Sequence, residues 1–351
     1  YNANYRTARS EMVYTAKPGK QTYKALYTFF AFRYIKLIDW PEELVADNFR
    51  AIVMHSDMKR TGYFTSGHEK LNQLMRNTFW GLRSNFLDVP TDCPQRDERL
   101  GWTGDAQVFF RTATFNRDVQ NFFRKWLKDL AIDQDQTGRV SDIVPNLPGL
   151  VGRGRVGWAD AATIIPWQHY MAYGDPSILE EQYSSMKAWV DFVISDSDNY
   201  LWNKGWHYGD WLFYSVNNDN AGNSAVTYTP LVQQCFFANS ASIMAQAAEV
   251  LGRTDDARYY ADVATKAREA FCQNYLTPAG MLVSSTQTAY VLALNFDMLP
   301  ESEREKAAAH LAANVEKYGH ITTGFLGTPY ICHVLTKFGY NDLAYKLLLR
   351  D

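Results

Sequence analysis

Between Asp92 and Asp105 the chain sets Asp92, Asp97, Glu98 and Asp105 among Arg96, Arg99 and Trp102, with Pro94, Gly101 and Gly104 interrupting any regular helix. Carboxylates held close together push each other's pKa values apart, which gives one site both an acid and a base near neutral pH. The stretch is too charged for a core and too broken for a single helix. A charged surface loop is the competing reading. Such loops rarely combine this acid density with an indole and with glycines that set backbone geometry.

Three other glycine- and aromatic-rich runs carry related equipment. Val151 to Asp160 holds Trp158 and Asp160, Trp206 to Trp211 holds Asp210 beside Trp211, and Gly319 to Thr328 holds Gly319, Gly324 and Gly327. An indole packs on the C–H face of a sugar ring, and a carboxylate accepts paired hydrogen bonds from adjacent hydroxyls. Packing alone explains any one such pair equally well. Aromatic residues make up 15% of the chain, with 10 Trp, 22 Tyr and 20 Phe, many of them outside apolar runs. That distribution suits flat ring substrates.

The net charge of −3 offers no basic surface for nucleic acid or anionic membrane, and no apolar run is long enough to span a bilayer. Cys93, Cys235, Cys272 and Cys332 are far apart and form no C-x-x-C pair, so neither a disulfide framework nor a zinc site is expected. The adjacent Cys332 and His333 could ligate zinc but lack further ligands at supporting spacing, and read as a packed helical pair. The run from Asn217 to Asn223 could offer oxygens to Ca²⁺, but reads as a solvated turn. No metal and no cofactor is therefore expected.

These segments need a scaffold. The first sixty residues read as β, with candidate strands over 27–38 and 49–55, the last strands of a sandwich. From Ser66 the period becomes helical, with capping boxes at Ser66/Glu69 and Ser302/Glu305. Leu71, Leu74, Thr78 and Leu82 mark one face of the first helix. Helices are expected near 66–86, 104–115, 117–133, 160–173, 176–195, 226–251, 254–275, 285–297, 301–317, 324–338 and 340–349. Short turns such as Gly174-Asp175-Pro176 pair them into hairpins, and no repeated motif supports an open solenoid. The expectation is a mainly α fold: an (α/α)6 toroid short of about one helix at its C-terminus. Residues 1–62 form a β-sandwich remnant and linker, and 63–351 form the barrel.

The run from Asp88 to Gln107, DVPTDCPQRDERLGWTGDAQ, closely resembles the signature of the family 78 glycoside hydrolases, the α-L-rhamnosidases. Phe32-Arg33-Tyr34-Ile35, and Gly62-Tyr63-Phe64 leading to Leu71-Asn72, resemble that family's approach to its barrel. Gly209-Asp210-Trp211 and Thr323 to Thr328 resemble its later mouth loops. The resemblance implies an (α/α)6 barrel preceded by β-sandwich domains, and inverting hydrolysis of terminal α-L-rhamnosides. The implied partner is a rhamnose-containing oligosaccharide, polysaccharide or glycoside. Inversion pairs a carboxylic acid on the leaving oxygen with a carboxylate that activates water. By position, Glu98 resembles the general acid, and Asp92 and Asp105 the acidic residues that hold sugar hydroxyls and raise its pKa. Arg96 and Asp210 resemble ligands of sugar oxygens. Trp102, Trp158 and Trp211 resemble walls around the ring and its 6-methyl group. Asp97 and Arg99 read as structural, pairing within the loop, and Cys93 as a packed side chain.

One departure stands beside these matches. The family's general base is the Glu of a Trp-Glu pair, and no Trp-Glu occurs in this sequence. The expectation is that the barrel is cut after its eleventh helix, leaving this polypeptide impaired in turnover. An inactive carbohydrate-binding relative, and another (α/α)6 glycosidase or glycoside phosphorylase, are the rival functions.

Overall fold

Inner and outer helices alternate along the chain, and the burial pattern of each follows from its place. The computed structural model describes residues 5–214 and 227–350, so the run from Asn217 to Asn223 lies outside the described residues. The elements are α1 (Glu69–Asn85), β1 (Phe86–Leu87), β2 (Val89–Pro90), α2 (Thr103–Asn116), α3 (Gln120–Asp133), α4 (Ala161–Tyr173) and α5 (Ser177–Asp196). They continue with α6 (Thr229–Val250), α7 (Thr254–Tyr275), α8 (Gln287–Asn295), α9 (Glu301–Tyr318), α10 (Ile331–Lys337) and α11 (Asn341–Leu348). Each helix falls within a span expected from sequence to a residue or two, except that α1, α3, α6 and α10 start later.

Even-numbered helices pack on their even neighbours, α2 on α4, α4 on α6, α6 on α8 and α8 on α10, and so form the inner ring. Their residues are buried in unbroken runs, Leu231 to Phe237 in α6 and Gln287 to Leu294 in α8, as helices covered on all sides require. Odd-numbered helices form the outer layer and bury one stripe. In α7 that stripe is Tyr260, Val263, Ala264, Ala267 and Phe271, against α6. Phe110 of α2 meets Phe123 of α3 edge-on with centroids 4.7 Å apart, locking the first of these hairpins.

Turns after inner helices are short. Gly174 closes α4 in the left-handed conformation at φ 69°, where a side chain would be strained. Connections leading into inner helices are long, spanning 86–102, 134–160, 276–286 and 319–330 among the fully described ones. All lie at one rim, so the fold itself gathers the chemistry-bearing segments there.

Several local expectations fail for identifiable reasons. His68, not Ser66, caps α1 by accepting from Leu71 N–H, while Ser66 and Asn72 bond each other reciprocally. Leu74 is 49% exposed, because little packs against that face of α1. α9 begins at Glu301 after Pro300, which places Ser302 inside the helix and leaves no capping box. Residues 324–330 are turns and α10 starts only at Ile331, since the loop before it is committed to contacts at the rim. The strands over 27–38 and 49–55 do not form among the described residues. Tyr34 and Ile52 are 83% and 56% exposed, and a strand without a partner has nowhere to place its ladder. The pairing of β1 with β2 and a few isolated bridges are the β structure that is described.

Candidate active site at the barrel rim

The acidic segment is held in place by its backbone. Asp92 N–H donates to Leu100 O at 3.1 Å and Leu100 N–H returns a bond to Asp92 Oδ1 at 3.0 Å, closing the loop that carries Glu98. Val144 N–H donates to Gly101 O at 2.8 Å and Thr103 N–H to Asp142 O at 2.9 Å, which ties the start of α2 to the 134–160 connection. A Cβ on Gly101 would stand 2.0 Å from Val144 O, so this approach needs glycine.

Glu98 points into this loop with 18% of its side chain exposed. Its Oε2 meets Arg96 at 3.0 Å and Arg6, from the N-terminal segment, at 2.9 Å. Burial and the neighbouring Asp92, which also shares a hydrogen bond with it, push its pKa up, and the two arginines pull against them. Asp105, in the first turn of α2, is pushed up to about 7 by burial and then by Asp92 and Glu98. One cluster therefore holds a shielded carboxyl raised above its ordinary value and a second carboxyl pushed up to about 7, side chains of the kind acid–base chemistry uses.

Asp92, Cys93 and Glu98 bring their ligand atoms within 4.8 Å of one another, the metal-competent group among the described residues. Burial and Asp92 push the Cys93 thiol up to about 12, which keeps it protonated in the metal-free protein. Cys332 lies 3.9 Å from Ala344 O in the α10–α11 contact and joins no such group. Asp97 and Arg99 do not pair within the loop. Asp97 accepts from Thr7, and Arg99 donates to Phe29 O with its guanidinium over the Phe29 ring at 4.6 Å.

The aromatic walls form one assembly around Tyr208. Its ring lies 4.5 Å from Trp158, 5.0 Å from Trp206, 5.8 Å from Trp211 and 6.1 Å from Trp102, centroid to centroid. Trp102 and Trp211 are half-buried and Trp206 is exposed. Trp158 is only 3% exposed, stacked on Phe325 at 5.5 Å and pressed against Gly104, whose missing Cβ would stand 2.7 Å from the indole. Trp158 thus backs the box as packing and shows a ligand little of its face. The indole N–H groups of Trp102 and Trp158 have no protein partner.

Asp210 and Asp160 are fully buried, and their oxygens are spent within the protein. Asp210 accepts from Gly324, Leu326 and Gly327 N–H at 2.7, 2.9 and 3.3 Å and from the Thr288 hydroxyl. Where the sequence suggested bonds from sugar hydroxyls, the structure shows four bonds from the protein, which fasten the 319–330 connection to the Trp206–Trp211 run. Asp160 likewise accepts from Gly157 N–H, Trp189 and Ser240 at 2.8, 3.1 and 2.7 Å.

The sequence profile of the bacterial alpha-L-rhamnosidase six-hairpin glycosidase domain matches residues 59–351. The chain belongs to this family. An alpha-L-rhamnosidase of Formosa agariphila is 41% identical over all of this chain, which spans 38% of that relative's length. Another, from Streptomyces avermitilis, is 40% identical over 99% of this chain and 33% of its own length. Its crystal structure, complexed with L-rhamnose, superposes on 84% of this chain and 28% of that one, with a TM-score of 0.78. The Aspergillus terreus rhamnosidase structure covers 86% of this chain and 35% of its own at 37% identity, with a TM-score of 0.81. The six-hairpin toroid expected from the helix count is the fold of this rhamnosidase domain.

Two residues of this rim carry no signal of their own that would single them out from sequence. Tyr208 sits within the Trp206–Trp211 run, where its neighbours could have flagged it. Asp142, fully buried with its Oδ2 accepting from the Tyr208 hydroxyl at 2.9 Å, lies in Ser141-Asp142-Ile143, which carries no aromatic signal.

Asp105 gives this rhamnosidase domain a measurable pH signature. Its folded pKa of about 7 lies above an unfolded value of about 3.9. Between those values the folded state holds a proton that the unfolded state has released, so stability falls as pH rises and the full penalty applies above about pH 7. Asp105→Asn removes the penalty. Its melting temperature should exceed the parent's at pH 8, by up to a few kcal/mol of stability at ~1.4 kcal/mol per pKa unit. The two should converge below about pH 4. Parallel melting curves across that range would contradict the assignment.

Proposed function

We propose that the natural-length protein to which this barrel belongs removes terminal α-L-rhamnose from rhamnosides with inversion of configuration. The observation that carries the reading is the shielded Glu98 carboxyl, raised by burial and Asp92, at the rim of a rhamnosidase toroid. Glu98 donates its proton to the leaving oxygen. Asp92 and Asp105 hold the sugar hydroxyls, Asp92 raises the Glu98 pKa, and Arg96, beside Glu98 at 3.0 Å, orients it and binds sugar oxygens. Trp102 and Trp211 line the ring and its methyl group, with Trp158 behind them. The carboxylate that activates water is not assigned to a residue of this sequence. Residues 1–62, many of whose described aromatic side chains are exposed, are read as the remnant of a β-sandwich domain and linker, and 63–351 as the catalytic barrel.

The substrate is a rhamnose-containing glycoside. No described helix is long and apolar enough to cross a membrane. A panel of p-nitrophenyl glycosides presented to the natural-length protein tests the reading. Release from the α-L-rhamnoside, with β-L-rhamnose as the first sugar seen by NMR, is expected. Faster release from an α-glucoside, a requirement for phosphate, or α-L-rhamnose as the first product would overturn it.

A further inference from the structure

Asp142 carries more than its place in the loop explains. Its carbonyl accepts from Thr103 N–H at 2.9 Å and its N–H donates to Gly152 O at 3.2 Å, so its backbone is fixed from two sides. Its side chain is fully buried, and Oδ1 has no protein partner while Oδ2 accepts from Tyr208. Gly152 keeps the space above it open, since a Cβ there would stand 3.2 Å from Oδ2 and 3.0 Å from the Arg155 guanidinium. A buried carboxyl with one oxygen unpaired is costly, and an apolar residue of similar volume would fill the position at less expense. What the carboxyl supplies in return, besides a charge facing Arg155, is a directional bond to the ring touched by Trp102, Trp158, Trp206 and Trp211.

We propose that Asp142 is a positioning residue that locks Tyr208, and through it the tryptophan box, in the orientation that receives the sugar ring. A phenol free to turn would let four indoles relax, because each packs edge-on or tilted against it. A carboxylate acceptor fixes the hydroxyl more strongly than a neutral one. For its ligand the inference rests on the rhamnoside reading of the rim. For its geometry it does not.

The test uses Asp142→Asn, Tyr208→Phe and the double variant of the natural-length protein. The readouts are L-rhamnose affinity by tryptophan fluorescence, KM and kcat, and near-ultraviolet circular dichroism without ligand. Each single variant should weaken L-rhamnose binding roughly tenfold, the scale of one hydrogen bond to a charged group. KM should rise while kcat is kept, and the aromatic dichroism should change. The double variant should lose no more than either single, because both remove the same bond. Additive losses, or unchanged affinity and dichroism in Tyr208→Phe, would overturn the role. If Asp142→Asn does not fold, Tyr208→Phe, which keeps the ring, decides alone. If the parent itself fails to bind L-rhamnose, the rhamnoside reading falls, and the ligand-free dichroism still decides the positioning.

Discussion

Glu98→Gln is expected to abolish most turnover of α-L-rhamnosides by the natural-length protein while leaving L-rhamnose binding intact. The amide keeps the size of the side chain and its hydrogen bond to Asp92, but it has no proton to transfer. Loss of a general acid costs roughly 10²–10⁴-fold. The loss should depend on the leaving group. A nitrophenolate departs with little protonation, so its rhamnoside should lose less rate than one whose aglycone is a sugar alcohol. Because activity needs the protonated carboxyl, kcat/KM should fall as pH rises through the Glu98 pKa, which burial and Asp92 hold above the usual carboxylate range. The limb set by Glu98 should vanish in the variant, leaving only what Asp105 contributes near pH 7. Equal losses on both leaving groups, or an intact basic limb, would remove Glu98 from the role of proton donor. Retained binding separates this outcome from collapse of the site and from an inactive sugar-binding relative, which would not need Glu98.

The ring was legible because amphipathic period and burial agree. Tyr260, Ala264, Ala267 and Phe271 repeat at helical spacing and bury together against α6. Strand-like composition in the first sixty residues was misleading for the opposite reason: β-propensity acts through neighbouring strands, and Tyr34 and Ile52 have none. The capping boxes failed because side-chain caps compete with other local partners. Ser66 is engaged by Asn72, and Pro300 fixes the entry to α9 one residue before Ser302. At the site, the acidic run was legible because its chemistry is contiguous in sequence. Asp142 was not, because its meaning comes from Tyr208, 66 residues away. Asp210 beside Trp211 had the composition of a sugar contact, yet composition does not tell which way a carboxylate faces. Here its backbone donors come from residues more than a hundred positions downstream.

Asp210→Asn is therefore expected to act on stability first. Oδ1 accepts from Leu326 and Gly327 N–H, and Oδ2 from Gly324 N–H and the Thr288 hydroxyl. Whichever way an amide is turned, its NH₂ faces at least one backbone N–H that cannot rotate away, two donors in a buried site. Burial pushes the Asp210 pKa up, and these four donors pull it back and favour the ionised form that an amide cannot reproduce. Breaking such a buried charge arrangement costs about 3–5 kcal/mol. The second tie of this loop, Gln287 bonding Thr322 N–H at 2.8 Å and His320 O at 3.1 Å, survives, so the barrel should fold with a loosened 319–330 connection. Phe325 lies in that connection and stacks on Trp158, so the box loses its backing as the loop opens. The expected result is a lowered melting temperature, with rhamnose affinity that recovers on cooling as the loop closes. A temperature-independent loss of affinity with unchanged melting would instead make Asp210 a direct sugar ligand. Asp210→Ala should be no milder, because it strands the three backbone donors in the same buried space.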